Sequence, residues 1–294
     1  MLEFLTISST SERDAVPDLI IPVKKPLDGF GYHIRNVNGL GPVVSNIVTS
    51  DLAQTDGVMV NHSRIGARNV VLLIEYKPDY GQSYRSVEEL RRDLYTHLGP
   101  KEPVRLYFQF ESGGGTYKID GVVESHETSM FGAQTFAQVS ILCPAPYFEG
   151  SDINITTASS HNTTITNPGD STTYMKIVID NQASELASEV LIINTLSVSN
   201  KEVGQFRIKD PELLGGLGHD IFVDTDARHR ELSGMVSGVR TPLYQYMTDK
   251  SSWNSLALTS ASHKLRTDVY LGDDGFRTDD IPVLIQFTPL YRGI

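Results

Sequence analysis

Cysteine is almost absent. Cys143 is the only one in 294 residues, so an intrachain disulfide is excluded and stability has to come from packing. Its place on an alternating strand gives it the role of a small apolar residue. Long hydrophobic runs are missing too: no stretch approaches the roughly 20 apolar residues of a membrane span. The opening Met1-Leu2-Glu3-Phe4-Leu5-Thr6 has neither the basic start nor the apolar core of a secretion signal. This predicts a protein made and folded in a cytoplasm, with no membrane anchor. Asn61, Asn154 and Asn162 each open an Asn-X-Ser/Thr triplet, and without a secretory route none is expected to carry sugar. Basic clusters are lacking as well, with 25 Lys and Arg against 36 Asp and Glu, a net charge of -11 and no run of either sign. Clustered cations drive phosphate binding, so specific affinity for nucleic acid or an anionic membrane is not expected. Internal repeats and low-complexity tracts are absent.

What is present suffices for two cores. Hydrophobic residues make up 39% of the chain, close to the globular norm, and the length accommodates two domains of ordinary size. The chain is organised around residues 138–150. Val139, Ile141 and Cys143 alternate there with Gln138, Ser140 and Leu142, the pattern of a half-buried strand. Pro144 and Pro146 then stop it, because proline lacks a ladder donor and pushes the preceding residue into an extended conformation. Cys143-Pro144-Ala145-Pro146 therefore reads as a stiff spacer of roughly 3.1 Å per residue. The domains are accordingly placed at 1–146 and 147–294, held at a fixed offset.

In the first half, Ile20, Ile21 and Val23 near two prolines predict a short edge strand. Tyr32, Ile34 and Val37 mark another, ended by the turn Asn38-Gly39-Leu40-Gly41-Pro42. Residues 45–57 are polar and weakly patterned and read as an exposed loop or arm. Residues 58–60 and 69–76 read as a hairpin that bends at 64–68. Ser86-Val87-Glu88-Glu89 is a capping box, and Val87, Leu90, Leu94 and Leu98 share one face of the helix it starts, closed by Gly99-Pro100. Val104, Leu106, Phe108 and Phe110, then Tyr117, Ile119 and Val123, predict a hairpin across the glycine-rich residues 111–115. That loop leads into a strand and carries no lysine, so it reads as a turn and not as a phosphate cradle.

In the second half the pattern has period two throughout. Strands are predicted around Ile153 and Ile155; Met175, Ile177 and Ile179; Val190 and Ile192; Phe206 and Ile208; Ile221 and Val223; Leu243 and Met247; Leu265, Val269 and Leu271; and Val283, Ile285 and Phe287. Their spacing suits an antiparallel sandwich. Turn residues at 167–170, 215–218 and 273–275 separate several of them.

His219, Asp220, Asp224, Asp226 and His229 are the densest set of ligand types. On a strand, however, His219 shares a face with Ile221 and Val223 while Asp220 and Asp224 point the other way, so they do not converge on an ion. The nucleophile elbow Gly-X-Ser-X-Gly is missing, and no helix amide end activates Cys143. Tyr244, Tyr246 and Trp253 form either a sugar platform or, more in keeping with a sandwich, part of its core and rim. Arg64, Arg68, Arg91 and Arg92 are assigned to subunit or solvent contacts. No catalytic, cofactor-binding or metal residue is expected, and no cofactor.

Several pieces resemble, in order and spacing, the distal tail proteins of long-tailed, non-contractile bacteriophages. They are Asn38-Gly39-Leu40-Gly41-Pro42, Thr55-Asp56-Gly57, Ala67-Arg68-Asn69-Val70-Val71-Leu72, Arg91-Arg92-Asp93-Leu94-Tyr95, and Val139 through Cys143-Pro144-Ala145-Pro146-Tyr147-Phe148. In the second half they are Thr166-Asn167-Pro168-Gly169-Asp170, His219-Asp220-Ile221-Phe222-Val223-Asp224-Thr225, Trp253 with Leu256, and the ending Phe287-Thr288-Pro289-Leu290-Tyr291-Arg292-Gly293-Ile294. The resemblance implies a mainly β fold: an N-terminal barrel- or sandwich-like ring domain with one α-helix, then a galectin-like antiparallel β-sandwich. It departs from true galectins, which pair a tryptophan with a glutamate and an arginine a few residues on, whereas Asn254, Ser255, Leu256, Ala257 and Leu258 follow Trp253. As function it implies a virion structural protein at the tail tip. A homo-hexameric ring, single or stacked in two, would join the tail tube protein to tip, baseplate or receptor-binding proteins around a DNA channel, after assembly in the host cytoplasm. The helix at Ser86 and residues 45–57 are the expected ring contacts. A carbohydrate-binding adhesin is the alternative, and a metal-dependent hydrolase the third reading.

Overall fold

The computed structural model describes residues 2–9, 18–23, 31–52, 56–78, 85–111, 115–129, 135–181, 186–210, 217–271, 276–278 and 280–294. The expected turns at 112–114, 215–216 and 273–275 lie outside the described residues. The chain forms two compact units, Met1–Gly150 with Tyr291–Ile294, and Ser151–Leu290.

The first unit is built on β1 (Leu2–Ser9), β2 (Leu19–Pro22), β3 (Gly31–Asn38), β4 (Ser45–Asp51), β5 (Val58–Ile65), β6 (Arg68–Lys77), helix α1 (Val87–His97), β7 (Pro103–Phe110), β8 (Thr116–Thr128), β9 (Phe136–Cys143) and β10 (Phe148–Glu149). Its main sheet runs in the order β2-β1-β7-β8-β9-β6-β3 and curls like part of a barrel. Alternation decides which face is inside: Val70, Leu72, Ile74 and Tyr76 of β6 and Ala137, Val139, Ile141 and Cys143 of β9 are all buried. Strand β1 escapes period-two reading because a bulge between Leu2 and Phe4 shifts its phase, so Leu2, Leu5 and Ile7 face the core.

Helix α1 begins where the capping box places it. The Glu89 amide donates to Ser86 Oγ at 3.2 Å and the Ser86 amide to Glu89 Oε2 at 2.9 Å. Leu90 and Leu94 are buried with Leu98, and the Tyr32 hydroxyl reaches the Leu90 carbonyl at 2.7 Å. Ser86→Ala, which orphans one helix-end donor, is expected to lower stability by about 1 kcal/mol in thermal denaturation.

The two prolines do not separate the units. After β9 they turn the chain within the first unit, and β10 then pairs Glu149 with Lys118 of β8. Phe148 is fully buried with its ring 5.7 Å from that of Phe108. Residues 147–150 and the last four therefore pack with the first unit, although the sequence boundary at Pro146 assigns them to the second. The expected hairpin of residues 58–60 with 69–76 is not formed either. Strand β5 pairs with β4, while β6 lies between β3 and β9. Residues 45–51 are thus a strand and not a loop.

The second unit is a sandwich of two antiparallel sheets around one core. One contains β11 (Ile153–Ala158), β13 (Met175–Asp180), β16 (Asp220–Asp224), β17 (Glu231–Val236), β18 (Val239–Pro242) and β21 (Pro282–Phe287), in the order β11-β21-β13-β16-β17-β18. The other contains β12 (Asn162–Thr166), β14 (Ala187–Leu196), β15 (Glu202–Lys209), β19 (Ser262–Leu271) and β20 (Phe276–Thr278), in the order β12-β19-β14-β15 with β20 beside β19. The strand expected through Leu243 and Met247 is instead a 3-10 turn at Tyr244–Tyr246. Strand β17 carries no alternation because Leu232, Ser233 and Gly234 are buried in succession.

Candidate interaction surface

The ligand-type residues of the second unit are engaged by protein groups. Asp224 accepts Lys176 at 2.9 Å and the Asp226 amide at 3.0 Å, and Asp226 binds Arg228 at 2.8 Å. His219 Nδ1 lies 3.3 Å from the Asn181 carbonyl oxygen, and His229 Nδ1 is 3.9 Å from Asp224. Asp220 stands opposite Asp180 in register, where burial and then the Asp180 charge raise its pKa. Among the described residues no three His, Cys, Asp or Glu side chains converge to hold a metal ion. Trp253 sits in a 3-10 turn with its ring 5.1 Å from Phe206 and 6.4 Å from Tyr244, and the Arg230 guanidinium lies 5.8 Å from its centroid. Tyr246 and Trp253 pack on the core.

One expected surface residue belongs to the interior. Arg68, assigned from sequence to subunit or solvent contact, is only 2% exposed. It starts β6 on the same inward phase as Val70, Leu72 and Ile74, so the strand carries it into the core. Its guanidinium donates to the Pro146 carbonyl at 2.8 Å, to Gly41 O at 2.7 Å and to the carbonyls of Gly39 and Arg292. It also lies 4.4 Å from the centre of the Phe148 ring. Burial lowers its pKa. The turn at 38–42, the proline turn and the segment 291–294 are distant in sequence, and this planar fork of donors gathers them. Gly39 fits only as glycine: its φ is +90°, and a Cβ there would sit 2.1 Å from the Asn69 carbonyl oxygen.

Cys143 pairs with Arg68 in register and is fully buried. Burial pushes its thiol up to about 12. The expected outcome is no reaction with a thiol reagent in the native protein and one equivalent after unfolding, measured by absorbance.

Among the described residues, the apolar surface that most lacks a cover is the β4–β5 ribbon, a separate two-stranded sheet. Its pairs Ser45–Ile65, Ile47–Ser63, Thr49–Val60 and Asp51–Val58 place Ile47, Val58, Val60 and Ile65 on one face. They are 58%, 53%, 60% and 36% exposed. Val48 and Met59 lie on the opposite face and are also exposed. A two-stranded hairpin is marginal alone in water, and a contiguous apolar patch of this kind marks a site of association. Missing periodicity hid β4 from sequence reading: its residues alternate neither in hydrophobicity nor in exposure.

No family model matches the chain, and no curated protein matches its sequence. Solved structures do match. The crystal structure of SPP1 Dit (gp 19.1), a paradigm of the hub adsorption apparatus in phages infecting Gram-positive hosts, aligns at a TM-score of 0.63 and 15% identity, over 97% of this chain and 98% of that one. Two structures of the phage P2 baseplate in its activated conformation, with Ca and with Sr, each cover 98% of this chain and 98% of theirs. Their TM-scores are 0.45 and 0.43, at 11% and 10% identity. The SPP1 likeness spans both units and establishes a Dit-like fold.

Proposed function

We propose that this chain is a structural component of a bacteriophage tail, a distal hub in which identical copies close into a hexameric ring. The ring joins the tail tube to the tip or baseplate and to receptor-binding proteins, leaves a central channel for DNA, and catalyses nothing. The observation that carries this reading is the fold shared with SPP1 Dit along nearly the whole of both chains. The apolar ribbon supports it, because a ring needs a head-to-tail interface and the ribbon supplies one side of such a contact. The charge of -11 suits a lining that DNA passes without sticking, since an acidic surface gains nothing from counterion release.

Size exclusion with light scattering tests the reading. Hexamers, or pairs of hexamers, are the expected species. A monomer that persists at high concentration overturns it.

A further inference from the structure

We propose that His263 is an acid-sensitive latch in the second unit: protonation of its Nε2 releases residues 252–259 from the sheet containing β14 and β19 and uncovers Leu256 and Leu258. His263 lies on the inward row of β19 with Leu265, Thr267, Val269 and Leu271, and is fully buried. Both ring nitrogens are committed. Nδ1 is 2.9 Å from Asn194 Oδ1, and Nε2 is 3.2 Å from the Thr259 amide and 3.0 Å from Thr259 Oγ1.

The hydrogen bonds fix the tautomer. Asn194 Nδ2 donates to the carbonyls of Ser255 at 2.9 Å and Ala257 at 3.4 Å, so its Oδ1 faces the ring and accepts from Nδ1–H. The Thr259 amide has only a proton to give, so Nε2 is the bare nitrogen. A proton added there faces the amide proton of Thr259, finds only the Thr259 hydroxyl as an acceptor at 3.0 Å, and places a cation on a ring that is fully buried. The nearest relief is to move Thr259 and the segment that precedes it, on which Leu256 and Leu258 are fully buried. Ties at the backbone bridge between Thr173 and Leu258 oppose the release, so opening requires the full cost of the buried charge.

Among the described residues packed against the ring, none carries a charge that offsets it. Asn194 from β14 and Thr259 from the segment are neutral, as are the register neighbours Ile165 on β12 and Leu196 on β14. Lys264, next on β19, reaches Asn200 at 3.1 Å. Burial lowers the pKa of the folded-state imidazole. An opened segment therefore takes up the proton first: the latch is complete above about pH 6.5 and is lost as pH falls from there toward the folded-state value.

Trp253 is the sole tryptophan and lies within the segment, so it reports the event in the intact protein. Acrylamide quenching is expected to rise about threefold on acidification below about pH 6.5, with far-UV circular dichroism unchanged. In His263→Gln, whose amide donates to Asn194 and accepts from Thr259 without titrating, quenching stays flat over that window. Hydrogen exchange of wild-type protein gives an independent readout, in which residues 252–259 lose protection before β13 and β16. Equal titration in wild type and variant, or constant quenching and exchange until the whole chain unfolds, overturns the proposal.

Discussion

Replacing Arg68 by methionine is expected to lower the stability of the first unit by about 3 kcal/mol. Methionine fills much of the same volume but donates nothing. The carbonyls of Gly39, Gly41, Pro146 and Arg292 then lose their shared donor, and the Phe148 ring loses a cation 4.4 Å from its centre. A buried acceptor left unmet costs about 1–3 kcal/mol, and water reaching the outer carbonyls returns part of the sum. Scanning calorimetry should show a fall of about 6–12 °C in the transition of a unit this size. The second unit, reported by Trp253, should keep its own midpoint. Arg68→Lys restores less than half of the loss, because an ammonium cannot present the flat fork that spans these carbonyls. An unchanged transition in Arg68→Met would mean that water satisfies those carbonyls as well as the guanidinium does, and that the cluster adds no net stability.

Arg68 also shows what the sequence concealed. Taken by type it is a surface cation, but taken by phase it belongs to the buried row of β6, and phase is the better guide on a strand between two others. The same holds in the second unit, where Asn194 shares a row with Val190 and Ile192 and His263 with Leu265 and Val269. Polar residues in phase with apolar ones were the available signal for both clusters. Elements with one covered face were legible: β13, β14, β15, β16, β19 and β21 alternate, and α1 announces itself by its cap. Strand β1 was lost to a bulge, β17 to three buried residues in succession, and β4 to an exposure that does not alternate. The proline stretch misled for a different reason. Stiffness is local, and nothing in Cys143-Pro144-Ala145-Pro146 says that the chain folds back at once to pair with β8. The motif pieces resembling distal tail proteins acquire a physical meaning only in three dimensions, where the turn at 38–42, Arg68, Pro146 and Arg292 meet.

The ribbon yields an expected effect of comparable size, on assembly instead of folding. In the proposed ring, Ile47→Asp combined with Val60→Asp should weaken self-association at least about 100-fold, which light scattering would read as hexamers becoming monomers. The fold should be untouched. Both side chains are more than half exposed in the single chain, at 58% and 60%, so stability should move by no more than about 0.5 kcal/mol. That separation of effects identifies an interface residue: a core residue would lose folding and assembly together, and a solvent-facing residue neither. Val198→Asp, in the second unit at 93% exposure, controls for added charge and should assemble as wild type does. Two carboxylates brought against an apolar neighbour lose water without gaining a partner, which is costly enough to break a contact of ordinary size. If the double variant still forms hexamers, the proposed ring closes through another surface and the ribbon is left to contact a different protein. If the unmodified chain never assembles, the ring itself is refuted, whatever the ribbon does.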